Sequence, residues 1–189
     1  GKPNTLIRNF TITNGTAENG NAGLYVSDNS PNCKFENLNI IGNNGDGVYI
    51  AGFSSGKFSN CIIADNGLNG LIIWSESDAE LVNATIVNNG QHGINIQGDG
   101  LPKNITVSNS ILYGNTNGSF ISYGDANDVV SVNYTNSEGG YEGILDVATI
   151  NAGWTFSNGI DPMFVDGENG DYRLVATSFM VDGGHPDST

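Results

Sequence analysis

One spacing governs this chain: short apolar segments recur about every 23 residues. Asn37-Leu-Asn-Ile40, Asn60-Cys-Ile-Ile63, Asn83-Ala-Thr-Ile86 and Asn109-Ser-Ile-Leu112 align without gaps, their leading Asn residues 23, 23 and 26 apart. A second set is Gly23-Leu-Tyr-Val26, Gly47-Val-Tyr-Ile50, Gly70-Leu-Ile-Ile73 and Gly93-Ile-Asn-Ile96, with Gly118-Ser-Phe-Ile121 as a weaker fifth member. A third segment precedes each Asn: Lys34-Phe35-Glu36, Lys57-Phe58-Ser59, Glu80-Leu81-Val82 and Thr106-Val107-Ser108. Segments this short, rich in Ile and Val and bounded by Asn and Gly, are strands and turns rather than helix. Three strands per period make one coil of a solenoid, which buries its apolar face only by stacking on the next coil. The fold expected is therefore all-β: a right-handed parallel β-helix solenoid of roughly five to six coils, rising about 4.8 Å per coil.

Alternation along each strand sorts the side chains. Leu24, Val26, Val48, Ile50, Leu71, Ile73, Ile94 and Ile96 are expected to point inward. So are Phe35, Phe58, Leu81 and Val107 from the second segment, and Ile40, Ile63, Ile86 and Leu112 from the third. The Asn37, Asn60, Asn83 and Asn109 column falls where the chain must bend between strands. Asn tolerates the left-handed backbone of such a bend, and stacked amides can hydrogen-bond from coil to coil. These columns, over residues 5 to 135, resemble the pectin-lyase-like superfamily of right-handed β-helices, with its internal asparagine ladder. The resemblance implies a fold more than an activity, because unrelated functions share the architecture.

Residues 1–135 are read as coils, and 136–189 as a degenerate last coil with a C-terminal capping segment of the same domain. Asp161-Pro-Met-Phe-Val-Asp166 and Gly170-Asp-Tyr-Arg-Leu174 resemble the closing stretch of bacterial secreted β-helix proteins. The chain has no initiator Met and opens directly on strand-like sequence, so a piece of a longer extracellular or cell-surface polypeptide is expected. The net charge of −14, from 20 acidic and 6 basic residues, disfavours nucleic acid as a partner. No apolar run approaches a membrane span. Cys33 and Cys61 make no disulfide framework; Cys61 shares an inward column with Leu38 and Ala84 and is expected to be a small core residue.

Chemistry is sought on the outward positions. Tyr25, Tyr49, Ile72, Asn95 and Phe120 form one outward column, with Trp74 two residues beyond Ile72 on the same face. The candidate substrate-binding set is Tyr25, Tyr49, Trp74, Asn95 and Phe120. Such a stripe suits stacking on pyranose faces, packing under another chain, or plain strand propensity. Asp28, Glu76, Asp78 and Asp99 lie on turns beside it and are the catalytic candidates if the chain is an enzyme, since glycosidases use paired carboxylates. His92 sits in a turn column with Asp46, Asn69 and Asn117. Two coils separate it from Asp46, roughly 10 Å, too far for a direct hydrogen bond. His92-Gly93 resembles part of a polygalacturonase element whose companion motifs are absent here. Lys34 and Lys57 continue in column to Glu80 and could grip an acidic polymer. Asp166, Glu168 and Asp171 have the oxygen density of a calcium loop without its known spacings, as does the turn from Asp125 to Asp128; structural calcium is the one cofactor considered.

Two functions follow from these residues. One is a non-catalytic extracellular module with a structural or adhesive role, in contact with polysaccharide through the aromatic stripe or with neighbouring protein chains, including head-to-tail stacking into fibres. The other is a fragment of a carbohydrate-active enzyme, either a polysaccharide lyase or a glycoside hydrolase.

Overall fold

The computed structural model describes residues 1–16, 22–123, 127–140, 149–152, 155–157 and 159–184. The Asp125 end of the turn considered for calcium lies outside them. Three parallel walls enclose one core. The first wall is built from Leu6–Arg8, Cys33–Glu36, Ser55–Ser59, Asp78–Val82, Asn104–Ser108, Val129–Asn133 and Thr149–Ala152. The second wall stacks Thr11–Ile12, Asn39–Ile41, Ile62–Ala64, Thr85–Val87, Ile111–Tyr113, Thr135–Ser137 and Thr155–Ser157. The third holds Ala22–Val26, Asp46–Ile50, Leu71–Ile73, Ile94–Ile96 and Phe120–Ser122. The chain visits the walls in turn, so each strand pairs in parallel with its counterpart one coil away.

Register places like on like. Ile7, Phe35, Phe58, Leu81, Val107 and Val132 form the inward column of the first wall. Ile12, Ile40, Ile63, Ile86 and Leu112 form that of the second. The Phe35 and Phe58 rings stack at 4.7 Å. All the inward residues expected from the sequence are buried except Leu24, which is half-buried on the edge strand of the third wall.

Phe120 is a correction. Its register partner is Ile94, so it points into the core, and Ile121 takes the outward place beside Asn95. The backbone N–H of Ile94 bonds Ser119 O, and a Cβ on Gly93 would meet that oxygen at 2.7 Å. Ser119, not Gly118, thus stands in the glycine column. A one-residue slip exchanges the two faces of a strand.

Each corner has its own polar device. Between the first and second walls, Asn37, Asn60, Asn83 and Asn109 adopt φ of 50–55°, the left-handed bend expected. Their amides link in part: Asn37 Nδ2 donates to Asn9 Oδ1 at 3.1 Å, and Asn83 Nδ2 to Asn60 Oδ1 at 3.0 Å. These links lie at the surface. The internal asparagine ladder stands instead between the second and third walls, on Asn43, Asn66, Asn89 and Asn115. Each Nδ2 donates to the next Oδ1 at 2.9 Å, over chain separations of 23, 23 and 26 residues. Each amide also reaches a core-strand carbonyl: Ile12, Ile40, Ile63 or Ile86. Between the third and first walls runs a serine column. Ser30 N–H bonds Ser54 Oγ and Ser54 N–H bonds Ser77 Oγ, while each hydroxyl caps a carbonyl two or three residues back.

Beyond the coils, Phe164–Asp166 and Asp171–Leu174 pair antiparallel around the 3₁₀ turn Gly167–Asn169. The hairpin lies along the outer face of the second wall. There Phe164 and Tyr172 cover Ala64, Val87, Ile41, Ile62, Ile111 and Tyr113, an apolar stripe that would otherwise meet water. Tyr172 Oη donates to Asp65 Oδ2 at 2.6 Å and accepts from Asn88 Nδ2 at 3.4 Å. Burial, then the Asp65 carboxylate, pushes the Tyr172 phenol well above its usual value. A raised folded-state value holds the phenol neutral, so this stabilisation is complete below pH about 10 and fades as pH climbs past it. Limited proteolysis of the hairpin should therefore accelerate above pH about 10. In Tyr172→Phe, which keeps the ring and loses the hydroxyl, cleavage should be faster at neutral pH and flatter with pH. An unchanged pH profile in Tyr172→Phe would refute the assignment.

Candidate binding face on the third wall

The outward residues of the third wall are Tyr25, Tyr49, Ile72, Asn95 and Ile121, one per coil. Strand alternation sets them outward, because Val26, Ile50, Ile73 and Ile96 beside them are core. Tyr25 and Tyr49 stack with centroids 4.8 Å apart and planes within 4°. Each therefore covers one face of the other and presents its edge to solvent, which is not a flat sugar platform. Trp74 meets Tyr49 at 6.5 Å with its plane turned by 86°. It is 43% exposed, and Tyr25 is 55% exposed. Ring faces for stacking on a pyranose are thus offered by Trp74 and by the outer side of Tyr25.

Beside the rings lies a polar network. Asp46 Oδ1 accepts from both the N–H and Nδ2 of Asn69 at 2.9 Å. Asn69 Nδ2 also donates to Gln91 Oε1 at 3.2 Å, and Asn69 Oδ1 accepts from His92 N–H at 3.2 Å and Asn95 Nδ2 at 3.4 Å. Gln97 Nε2 closes the chain on Asn95 Oδ1 at 2.6 Å. Asn95 is thus buried within the network rather than presented to solvent. Burial raises the Asp46 carboxyl against the lowering effect of the two Asn69 bonds. It also pushes the Tyr49 phenol up to about 12, with the charges of Tyr25 and Asp46 adding to the shift. His92 joins through its backbone, not its ring; burial lowers the imidazole, whose Nδ1 has no partner among the described residues.

Of the four candidate carboxylates, Asp28 and Glu76 stand apart, and Asp78 and Asp99 are each engaged by a neighbour. Asp28 and Glu76 occupy exposed left-handed turns. The backbone ladder puts Asp28 in column with Gly52 and Ser75, two coils and roughly 10 Å from the turn of Glu76. Glycosidase pairs stand roughly 5–9.5 Å apart. Asp78 begins a first-wall strand and accepts the Asn104 N–H at 2.7 Å. Asp99 is 2.8 Å from the Lys103 ammonium.

Asp166 accepts both bonds from Asn169 Nδ2, and Asp171 is held by the Arg173 guanidinium at 2.8 and 2.6 Å, which keeps its carboxyl low, at about 2. Among the described residues no three His, Cys, Asp or Glu side chains are grouped to hold a metal ion. On the first wall, Lys57 pairs with Glu80 at 2.7 Å beside Lys34, in an open groove of about 350 Å³ that also takes in Asp78, Asn104 and Thr106. An ion pair this exposed adds little to stability. Cys33 and Cys61 are buried and unbonded to each other, and Cys61 sits in column with Leu38 and Ala84.

Three parallel walls around a single core of stacked coils define a β-helix protein. Residues 2–158 match the family described as "Right handed beta helix region", and the chain belongs to that family. No curated protein and no solved structure matches the chain. Among the described residues no helix is long and apolar enough to cross a membrane.

Proposed function

We propose that this chain is a non-catalytic extracellular β-helix module whose third wall contacts polysaccharide, as part of a structural or adhesive rod. The observation that carries the reading is Trp74, an exposed ring turned across the Tyr25–Tyr49 stack and flanked by an amide network. Aromatic faces take the apolar side of a pyranose while amides meet its hydroxyls. The separation of Asp28 from Glu76, with Asp78 engaged by Asn104 and Asp99 by Lys103, supports a binding rather than a cleaving role. A polysaccharide array, scored for binding and for released reducing or unsaturated ends, tests it. Trp74→Ala should weaken binding about tenfold or more, and Tyr49→Ala, which removes the support of Trp74, by a similar factor. Released ends would overturn the reading in favour of an enzyme, and binding untouched by either substitution would move the contact off this face.

A further inference from the structure

We propose that Lys103 and Asp128 are joined by a spontaneous intramolecular amide bond between Nζ and Cγ. Beyond Ser77 the serine column between the third and first walls changes chemistry. Register carries Ser30, Ser54 and Ser77 onto Lys103 in the next coil and Asp128 in the one after. Each serine hydroxyl caps a nearby carbonyl of its own turn, and Lys103 Nζ does the same job on Leu101 O at 2.7 Å. The corner's structural need is thus met by a hydroxyl, and lysine brings something more: a primary amine with no exposed surface.

Among the described residues, Asp99 and Asp128 face that amine. Asp99 Oδ1 is 2.8 Å from Nζ with its side chain 16% exposed, and Asp128 Oδ1 is 3.8 Å away with none exposed. Burying a lysine among carboxylates is costly as ions, because each charge has lost its water. Passing a proton from the ammonium to a carboxylate removes two charges and leaves a free amine beside a carboxylic acid. The positions divide the roles. Asp99, in hydrogen-bonding distance, takes the ammonium proton and hands it to the Asp128 carboxylate, returning to its ionised form. Asp128 Oδ1 accepts the backbone N–H of Lys103 at 3.0 Å, which polarises its carboxyl group as an oxyanion donor would.

The step balances without any co-reactant. With Asp128 protonated, neutral Nζ attacks Cγ and the C–N bond forms. Asp99 collects the second amine proton and delivers it to the departing Asp128 hydroxyl. The C–O bond breaks, and one water leaves. No group is oxidised or reduced. The product clamps two neighbouring coils across a chain separation of 25 residues.

The test is the intact mass of the unmodified full chain, followed by fragmentation of its protease digest. A mass one water below that of the linear, unlinked chain, with a branched peptide joining residues 103 and 128, is the expected result. Lys103→Met and Asp128→Ala should restore the unlinked mass. Asp99→Asn, checked for folding by circular dichroism, should leave most of the chain unlinked although both reacting groups remain. A wild-type mass equal to that of the linear, unlinked chain overturns the proposal, as does a link mapped to Asp99. The wild-type measurement needs no variant to fold.

Discussion

Asn66→Ala is expected to destabilise the solenoid by roughly 3–5 kcal/mol, read from urea or thermal unfolding. The side chain is buried and fully used. Its Oδ1 accepts the Asn43 N–H at 3.1 Å and Asn43 Nδ2 at 2.9 Å, while its own Nδ2 serves Ile40 O and Asn89 Oδ1. Truncation removes all four bonds at once in a place water does not reach. Each stranded buried group costs about 1–3 kcal/mol, partly offset where a second partner remains. Asn60→Ala supplies the contrast. Asn60 is also in an asparagine column, but at the surface with φ 55°, so its loss should cost about 1–2 kcal/mol from the left-handed backbone alone. Equal losses at the two positions would refute the distinction between the inner and outer columns.

Phe58→Ala should cost about 3–5 kcal/mol, the transfer term plus the cavity left behind. Phe58 is fully buried between Phe35, on which it stacks, and Leu81 one coil on. The site collapses poorly because parallel ladders fix the spacing of the coils above and below. Gly56 belongs to the same arrangement: a Cβ there would meet Phe58 Cε2 at 2.8 Å, so the ring fills the space a side chain would take. Phe58→Leu should lose only about 1–1.5 kcal/mol, since Leu81 already shows that leucine fits this column. A denaturation midpoint for Phe58→Ala within error of Phe58→Leu would show that the coils close up around the gap.

The fold was legible because the apolar columns repeat with little drift; Phe35, Phe58, Leu81 and Val107 could be stacked from spacing alone. Phe120 could not. The turn before it keeps the length of its counterparts, but Gly118 imitates the corner glycine that Ser119 replaces, so counting from Gly118 put the ring on the wrong face. The inner ladder escaped for a different reason. Asn43, Asn66, Asn89 and Asn115 share the 23, 23 and 26 residue spacings of Asn37, Asn60, Asn83 and Asn109, and period alone does not separate a buried amide from an exposed one. A signal was present: Asn66-Gly67 and Asn89-Gly90 repeat the same pair in one turn, and Gly90 has no room for a Cβ, which would meet Gly67 O at 2.3 Å. Lys103 was invisible because serine precedes it in column and nothing in spacing announces that a lysine will be buried. The aromatic face was legible in composition but not in orientation, since whether tyrosines lie flat or stack on edge depends on side-chain rotation.

The inner amides all point one way. Asn43, Asn66 and Asn89 each donate toward the next coil, and backbone N–H groups join them in the same sense. Parallel strands alternate the direction of their ladder bonds, so their dipoles largely cancel across a wall. The asparagine row does not cancel, and neighbouring amides polarise one another along it. The solenoid is therefore an electrical vector as well as a stack, with its negative pole toward the first coils and its positive pole toward the last. A charged group at either end meets a field whose sign was set by the handing-on of one amide proton per coil.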